Sequence, residues 1–348
     1  MKRTAILAVL LLGGAIVSSL NFSRAGAAPS APPVPSRNFV FTYVTHVPAV
    51  PPGTHQLRIW VPLPYEERSQ AVTDIKIESP ARFRIEHEKE YGNRYAYFDV
   101  DTDDFKPPFD IRLTFHAERF EHRVALTVSD DPPSQPLISP ARFLQPDRLV
   151  PINGEIAQLS EEKTKGATEP VEKARRLYDY VIATMHYDHD GTGWGRGDAI
   201  WACDNKHGNC TDFHSLFIAM ARAAGIPARF EIGFSIPVGT HEGTIGGYHC
   251  WAEFYTPGIG WIPVDASEAW KNKDKVDYFF GATDQNRIMF SLGRDIRLKP
   301  GQKGDLLNYF VYPYAELDGR PLDGLKNEFS FKDDKVPPAP PVKVSTSD

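Results

Sequence analysis

Phe109, Ile111, Leu113 and Phe115 alternate with Asp110, Arg112, Thr114 and His116. A two-residue period places every apolar side chain on one face of an extended chain, and no helix can do the same. The pattern recurs upstream. Phe39, Phe41 and Tyr43 alternate with Val40, Thr42 and Val44, and Ile75 and Ile77 flank Lys76. Tyr95 and Tyr97 face one way and Phe98 and Val100 the other. Turn formers such as Pro51-Pro52-Gly53 and Tyr91-Gly92-Asn93 separate the runs. Short alternating strands divided by turns predict a β-sandwich domain over residues 38–128. His116 lies in the polar phase of its strand and reads as solvated.

Residues 129–139 then carry Pro132, Pro133 and Pro136, which end strand character and mark a linker. Beyond it the period lengthens. Val171, Ala174, Tyr178, Val181, Ile182 and Met185 recur at three- and four-residue steps, predicting an amphipathic helix entered at Thr168-Glu169-Pro170. A second helix opens at Cys210, with Phe213, Leu216, Phe217, Met220, Ala223 and Ala224 as its apolar stripe. Gly225 and Pro227 stop it. A strand over 229–234, a Gly-rich loop over 239–247 and strands over 248–255 and 261–266 follow. Helices followed by antiparallel strands predict an α+β fold rather than a parallel α/β one.

The strand Tyr248-His249-Cys250-Trp251-Ala252-Glu253 puts His249, Trp251 and Glu253 on one face and Cys250 and Ala252 on the other. A regular hairpin centred on Pro257 sets His249 directly opposite Asp265, and a bulge would break this pairing. A carboxylate that orients an imidazole is the base half of a nucleophilic triad. Cys210 supplies the nucleophile. At a helix start, unpaired N–H groups and the macrodipole favour its thiolate. Gly208 lets the backbone approach closely, and the Cys210 N–H can serve as an oxyanion donor. Cys210, His249 and Asp265 are therefore the candidate catalytic residues.

The segment HGNCTDFHSLFIAMARAAGIPARF resembles the Gly-x-Cys segment and following helix of the transglutaminase-like superfamily. YHCWAEFYTPGIGWIPVDASEAW is similar to that family's His and Asp strands. The resemblance covers about residues 140–300 and keeps the order Cys, His, Asp. It implies a papain-like core, acyl transfer, deamidation or amide hydrolysis on protein or peptide substrates, and an accessory role for the β domain in front. It also implies Cys210 as nucleophile, His249 as base and Asp265 as its orienter. The alternative is a cell-envelope binding module that keeps the fold without the chemistry.

The chain has 348 residues. Lys2 and Arg3 precede an apolar run from Ala5 to Leu20, and Ala25-Gly26-Ala27 offers a cleavage site. This predicts a signal peptide over 1–27, periplasmic or secreted location, and no stable membrane insertion after cleavage. Its removal leaves 36 basic against 45 acidic residues, a net charge of −9, which argues against a nucleic-acid partner. Pro-rich segments at 28–37 and 333–348 flank the domains, and the core with its C-terminal strands runs from 140 to 332. Three cysteines in an oxidising compartment leave one thiol unpaired, with Cys203–Cys250 or Cys203–Cys210 as pairings left open. Asp188-x-Asp190-Gly191 does not complete a calcium loop, and neither a metal nor another cofactor is expected. His214, one turn after Cys210, has no predicted orienting acid. Glu253 is free either to bind substrate or to pair with an arginine. Trp194 and Trp201 upstream of Cys210 read as packing or as walls of the acyl site, and His207 as a polar loop residue.

Overall fold

A computed structural model describes residues 33–128, 136 and 138–334. The expected signal peptide lies outside the described residues, as do most of the linker and of the C-terminal segment and the start of the N-terminal Pro-rich segment. Among the described residues no helix is long and apolar enough to cross a membrane.

Two five-stranded antiparallel sheets arise from the alternating region. The first has the order Glu242–Ile245, Lys326–Asp333, Ser36–Val47, Phe109–Phe120, Gln70–Glu78. The second runs Arg320–Pro321, Tyr314–Leu317, Gln56–Pro62, Arg94–Asp101, Phe83–His87. Strands from the end of the chain therefore complete both sheets. One of them enters the segment expected to be a Gly-rich loop: Glu242–Ile245 is a short edge strand paired with Lys326–Asp333. Period alone cannot reveal such pairing, because the partner lies far away in sequence.

The alternation at 109–115 has a physical use. Phe109 and Ile111 bury against Leu57, Ile59, Phe98 and Val100 of the second sheet. Leu113 and Phe115 on the same face join Phe41, Phe234 and Phe290 in the main core. The rings of Phe41 and Phe115 stack at 5.4 Å, and Phe234 meets Phe290 edge-on at 5.2 Å. Each such ring contributes roughly 1.5–3 kcal/mol by burial, so one face of one sheet fastens two layers. His116 is exposed and faces Asp334.

The core sheet has four antiparallel strands in the order Gly260–Val264, His249–Thr256, Ala228–Ser235, Arg287–Leu292. Its Cys250, Ala252 and Phe254 face the helical layer, while Trp251 and Met289 pack with Trp60, Tyr95 and Tyr97. The helices Pro170–Thr184 and Cys210–Ala223 form as the periodicity predicts. Gly154–Thr164, Ala199–Asn205 and Ala266–Lys271 are further helices. The last corrects the expected strand over 261–266. The strand stops at Val264 because Asp265 turns out of it and caps a helix, accepting the Glu268 N–H.

The hairpin register also differs from the expected one. Ala252 pairs with Val264 and Phe254 with Ile262, which centres the turn on Gly258 rather than Pro257. The slip displaces every pair by two residues and so leaves the faces unchanged. His249 is consequently not directly opposite Asp265.

Candidate active site

Cys210 opens the helix Cys210–Ala223 because its neighbours form a complete capping box. The Asn209 side chain accepts the Thr211 N–H at 2.9 Å, and Asp212 accepts the Asn209 N–H at 3.0 Å. Asp212 does more than cap. Its two carboxylate oxygens also accept Gly195 N–H at 2.7 Å and Gly197 N–H at 3.0 Å, fastening the preceding loop to the helix start. Burial pushes this carboxyl up, and the three backbone donors oppose the shift.

Gly208 has a specific reason to be glycine. Its φ is +138°, and a Cβ there would lie 2.3 Å from Asp212 Oδ2. The missing side chain makes room for the buried carboxylate that organises the loop. To the close backbone approach expected of Gly208 the structure adds this carboxylate as the group that a side chain would meet.

His249 and Asp265 meet despite the shifted register. His249 Nε2 lies 2.8 Å from Asp265 Oδ2, with the residues 5% and 0% exposed. By leaving its strand, Asp265 brings its carboxylate diagonally back to the start of the neighbouring strand. Its Oδ1 accepts the Ser267 hydroxyl and the Glu268 N–H, both at 3.0 Å. With Nε2 engaged by Asp265, Nδ1 is the imidazole nitrogen that remains free to serve the Cys210 thiol, whose charge and that of His249 act on one another.

The electrostatics follow from this placement. Burial lowers the His249 pKa, but the Asp265 charge and hydrogen bond outweigh it and pull the imidazole up to about 10. Burial raises the Cys210 thiol, yet hydrogen bonds from Cys250 and His249 together with the imidazolium charge hold it well below the usual thiol range. Burial also opposes ionisation of Asp265, and the His249 charge prevails and holds the carboxyl well down. The arrangement favours a thiolate beside an imidazolium.

Neighbouring residues separate into clear roles. His214 is fully buried. Its Nδ1 lies 2.7 Å from the Cys210 carbonyl oxygen, and its Nε2 accepts the Ala266 N–H at 3.0 Å. With both nitrogens engaged as a neutral ring, it ties the Cys helix to the Asp265 segment and is no rival base. Cys250 occupies the face away from His249, and that face receives the Cys helix, where its thiol lies 3.7 Å from His214 Nδ1. Cys203, Cys210 and Cys250 are all free thiols. Glu253 is buried and accepts Arg229 Nε at 2.8 Å, which decides for an ion pair. His207 reaches Asp188 at 2.7 Å and lies edge-on to Trp201 at 5.0 Å. Trp194 stacks on His189 at 4.4 Å. Among the described residues no group of three His, Cys, Asp or Glu is arranged to hold a metal ion.

Two buried arginines are not legible as site residues in the sequence. Arg294 donates to the carbonyls of Gly197 and Arg196 and to Ser215 Oγ, holding the loop that Asp212 also grips. Arg287 donates to Asp265 Oδ2 at 3.1 Å. No local signal announces either, since both lie far from Cys210 in sequence and their partners are reached only through the fold.

Residues 157–266, which contain Cys210, His249 and Asp265, match the family described as the transglutaminase-like superfamily. A Haemophilus influenzae protein, itself uncharacterized, is 28% identical over 330 residues, covering 84% of this chain and 89% of the relative. The Bacillus subtilis protein YebA is 31% identical over 78 residues, 20% of this chain and 11% of that protein. A Cytophaga hutchinsonii protein named as a candidate cysteine protease superposes with a TM-score of 0.58 at 16% identity, over 88% of this chain and 93% of its own. At that identity the likeness is one of fold. The chain carries a transglutaminase-like domain, an α+β core in which the helix opening on Cys210 packs on an antiparallel sheet.

Proposed function

We propose that the protein is an exported cysteine acyl-transfer enzyme acting on amide bonds of proteins or peptides. The observation that carries this reading is the buried His249–Asp265 contact at 2.8 Å, in a site where Cys210 opens a capped helix. Cys210 Sγ attacks the amide carbonyl carbon, and its electron pair forms the C–S bond. The carbonyl oxygen takes up negative charge near the Cys210 N–H, where the helix dipole favours an anion. His249 gives its proton to the departing nitrogen as the C–N bond breaks, and a thioester remains. Asp265 keeps the imidazole oriented throughout. Water resolves the thioester to an acid, and a primary amine resolves it to a new amide. The apolar run and cleavage site at residues 1–27 support export to the periplasm or beyond.

The test incubates glutamine-containing and other peptides with the protein, with and without a primary amine, and reads products by mass. Product that depends on Cys210 and His249 supports the reading. A complementary measurement needs no substrate: iodoacetamide near neutral pH should label Cys210 fast in the wild type and slowly in His249→Ala. Equally slow labelling in both proteins would favour a binding module that keeps the fold only.

A further inference from the structure

Arg287 lies 2% exposed in the strand Arg287–Leu292, with its guanidinium against two groups of the site. Its Nη1 donates to Asp265 Oδ2, the same oxygen that faces His249 Nε2. Its guanidinium carbon sits 4.8 Å from the centre of the Trp251 ring, and the Trp251 N–H is anchored on Glu231 at 2.6 Å. The arginine is thus clamped between an aromatic face and the carboxylate that orients the imidazole. Asp284, 3.7 Å from its Nε, is a more distant second anion.

We propose that Arg287 is a positioning residue that sets the acidity of His249 by sharing the charge of Asp265 with it. This deepens the acyl-transfer reading and rests on it. Asp265 alone would hold the imidazolium so firmly that it became a poor acid. An imidazolium that must protonate a leaving amine needs a carboxylate strong enough to orient it and weak enough to release its proton. A permanent cation on the same carboxylate oxygen achieves this, because a guanidinium stays charged at every working pH. The same hydrogen bond also ties the Asp265 carboxylate to the strand Arg287–Leu292 after Asp265 has left its own strand.

Other charges face these groups as well. Cys210 and the neutral His214 approach from the Cys helix, Glu268 and Lys271 from the helix after Asp265, and Tyr178 from the helix Pro170–Thr184. Among the described residues, Arg287 is the cation besides His249 itself that is hydrogen-bonded to the shared oxygen, so its removal should act on His249 most directly.

The experiment follows alkylation of Cys210 by iodoacetamide against pH in the full chain. The thiolate displaces iodide to form a C–S bond, and the Cys210 peptide is read by mass so that Cys203 and Cys250 do not interfere. An ion pair gives a profile with an acidic limb where the pair forms and a basic limb where the imidazolium loses its proton. Loss of the Arg287 charge raises the imidazole pKa, so the basic limb in Arg287→Met and Arg287→Gln should move up by about one pH unit. Arg287→Lys retains the charge and should keep the wild-type limb. An unmoved limb in a folded neutral variant, or a Lys variant that shifts as far as the neutral ones, overturns the proposal. Should neither neutral variant fold, Arg287→Lys is read against the wild type alone, and a basic limb displaced upward by about one pH unit in that charge-retaining variant overturns the proposal. A wild-type profile of an ordinary thiol, insensitive to His249→Ala, instead removes the acyl-transfer reading beneath it.

Discussion

The two five-stranded sheets and the Cys210 site are held together by opposite means. In the sheets most charged groups lie outside, with the buried Arg119 and Glu316 as exceptions: the His46–Asp110 and His116–Asp334 pairs sit on the surface, and the inner faces are built largely of aromatic and branched side chains. At the site the polar groups lie inside. Asp212, His214, His249, Asp265, Arg287 and Arg294 are all at most 5% exposed. An apolar layer tolerates exchange of one shape for another of similar volume. A buried polar network does not, because removing one member leaves its partners unsatisfied.

The comparison can be broken at its ends. Phe234→Ala removes a ring that joins the first sheet to the core and should cost about 4 kcal/mol in chemical denaturation. Phe234→Leu should cost much less, and equal losses would contradict tolerance by volume. At the site, His249→Ala should slow Cys210 alkylation near neutral pH on the order of 10²-fold. Its effect on the unfolding midpoint should be modest by comparison. Gly208→Ala forces a Cβ against Asp212 at positive φ, and should destabilise by about 2 kcal/mol. A wild-type unfolding midpoint in Gly208→Ala would mean that Asp212 does not organise the loop.

The pH dependence is a finer test. The His249 pKa is raised in the folded state, so its contribution to stability is fully present below the unfolded imidazole value, about 6.5. It is lost as pH climbs through about 10. The difference in melting temperature between wild type and His249→Ala should therefore shrink over that window, and a constant difference would deny the shift. Smallest of all, His116→Ala on the exposed face should change stability by less than about 0.5 kcal/mol.

Local pattern exposed much of the site. The apolar stripe from Phe213 to Ala224 marked the helix that opens at Cys210, and strand parity placed His249 and Asp265 on a common side. The hairpin count reached the right pair through a register two residues off, since parity survives an even slip while direct opposition does not. Gly208 was recognisable as special, but the group it makes room for was not, because Asp212 reads in sequence as an ordinary first-turn acid. The strand at Glu242–Ile245 was hidden for a similar cause: its pairing partner begins at Lys326.

The sequence by itself determined what depends on neighbours a few residues away. These are the faces of each strand, the helix that begins at Cys210, and the order in which Cys210, His249 and Asp265 arrive. Tertiary structure decided what depends on convergence of distant segments: the turn that carries Asp265 out of its strand, the approach of Cys250 to His214 of the Cys helix, and the arrival of Arg287 on the shared carboxylate oxygen. Periodicity records which way a side chain points relative to its own element. Which charge it meets there is set by how the layers close over one another, and no local pattern encodes that.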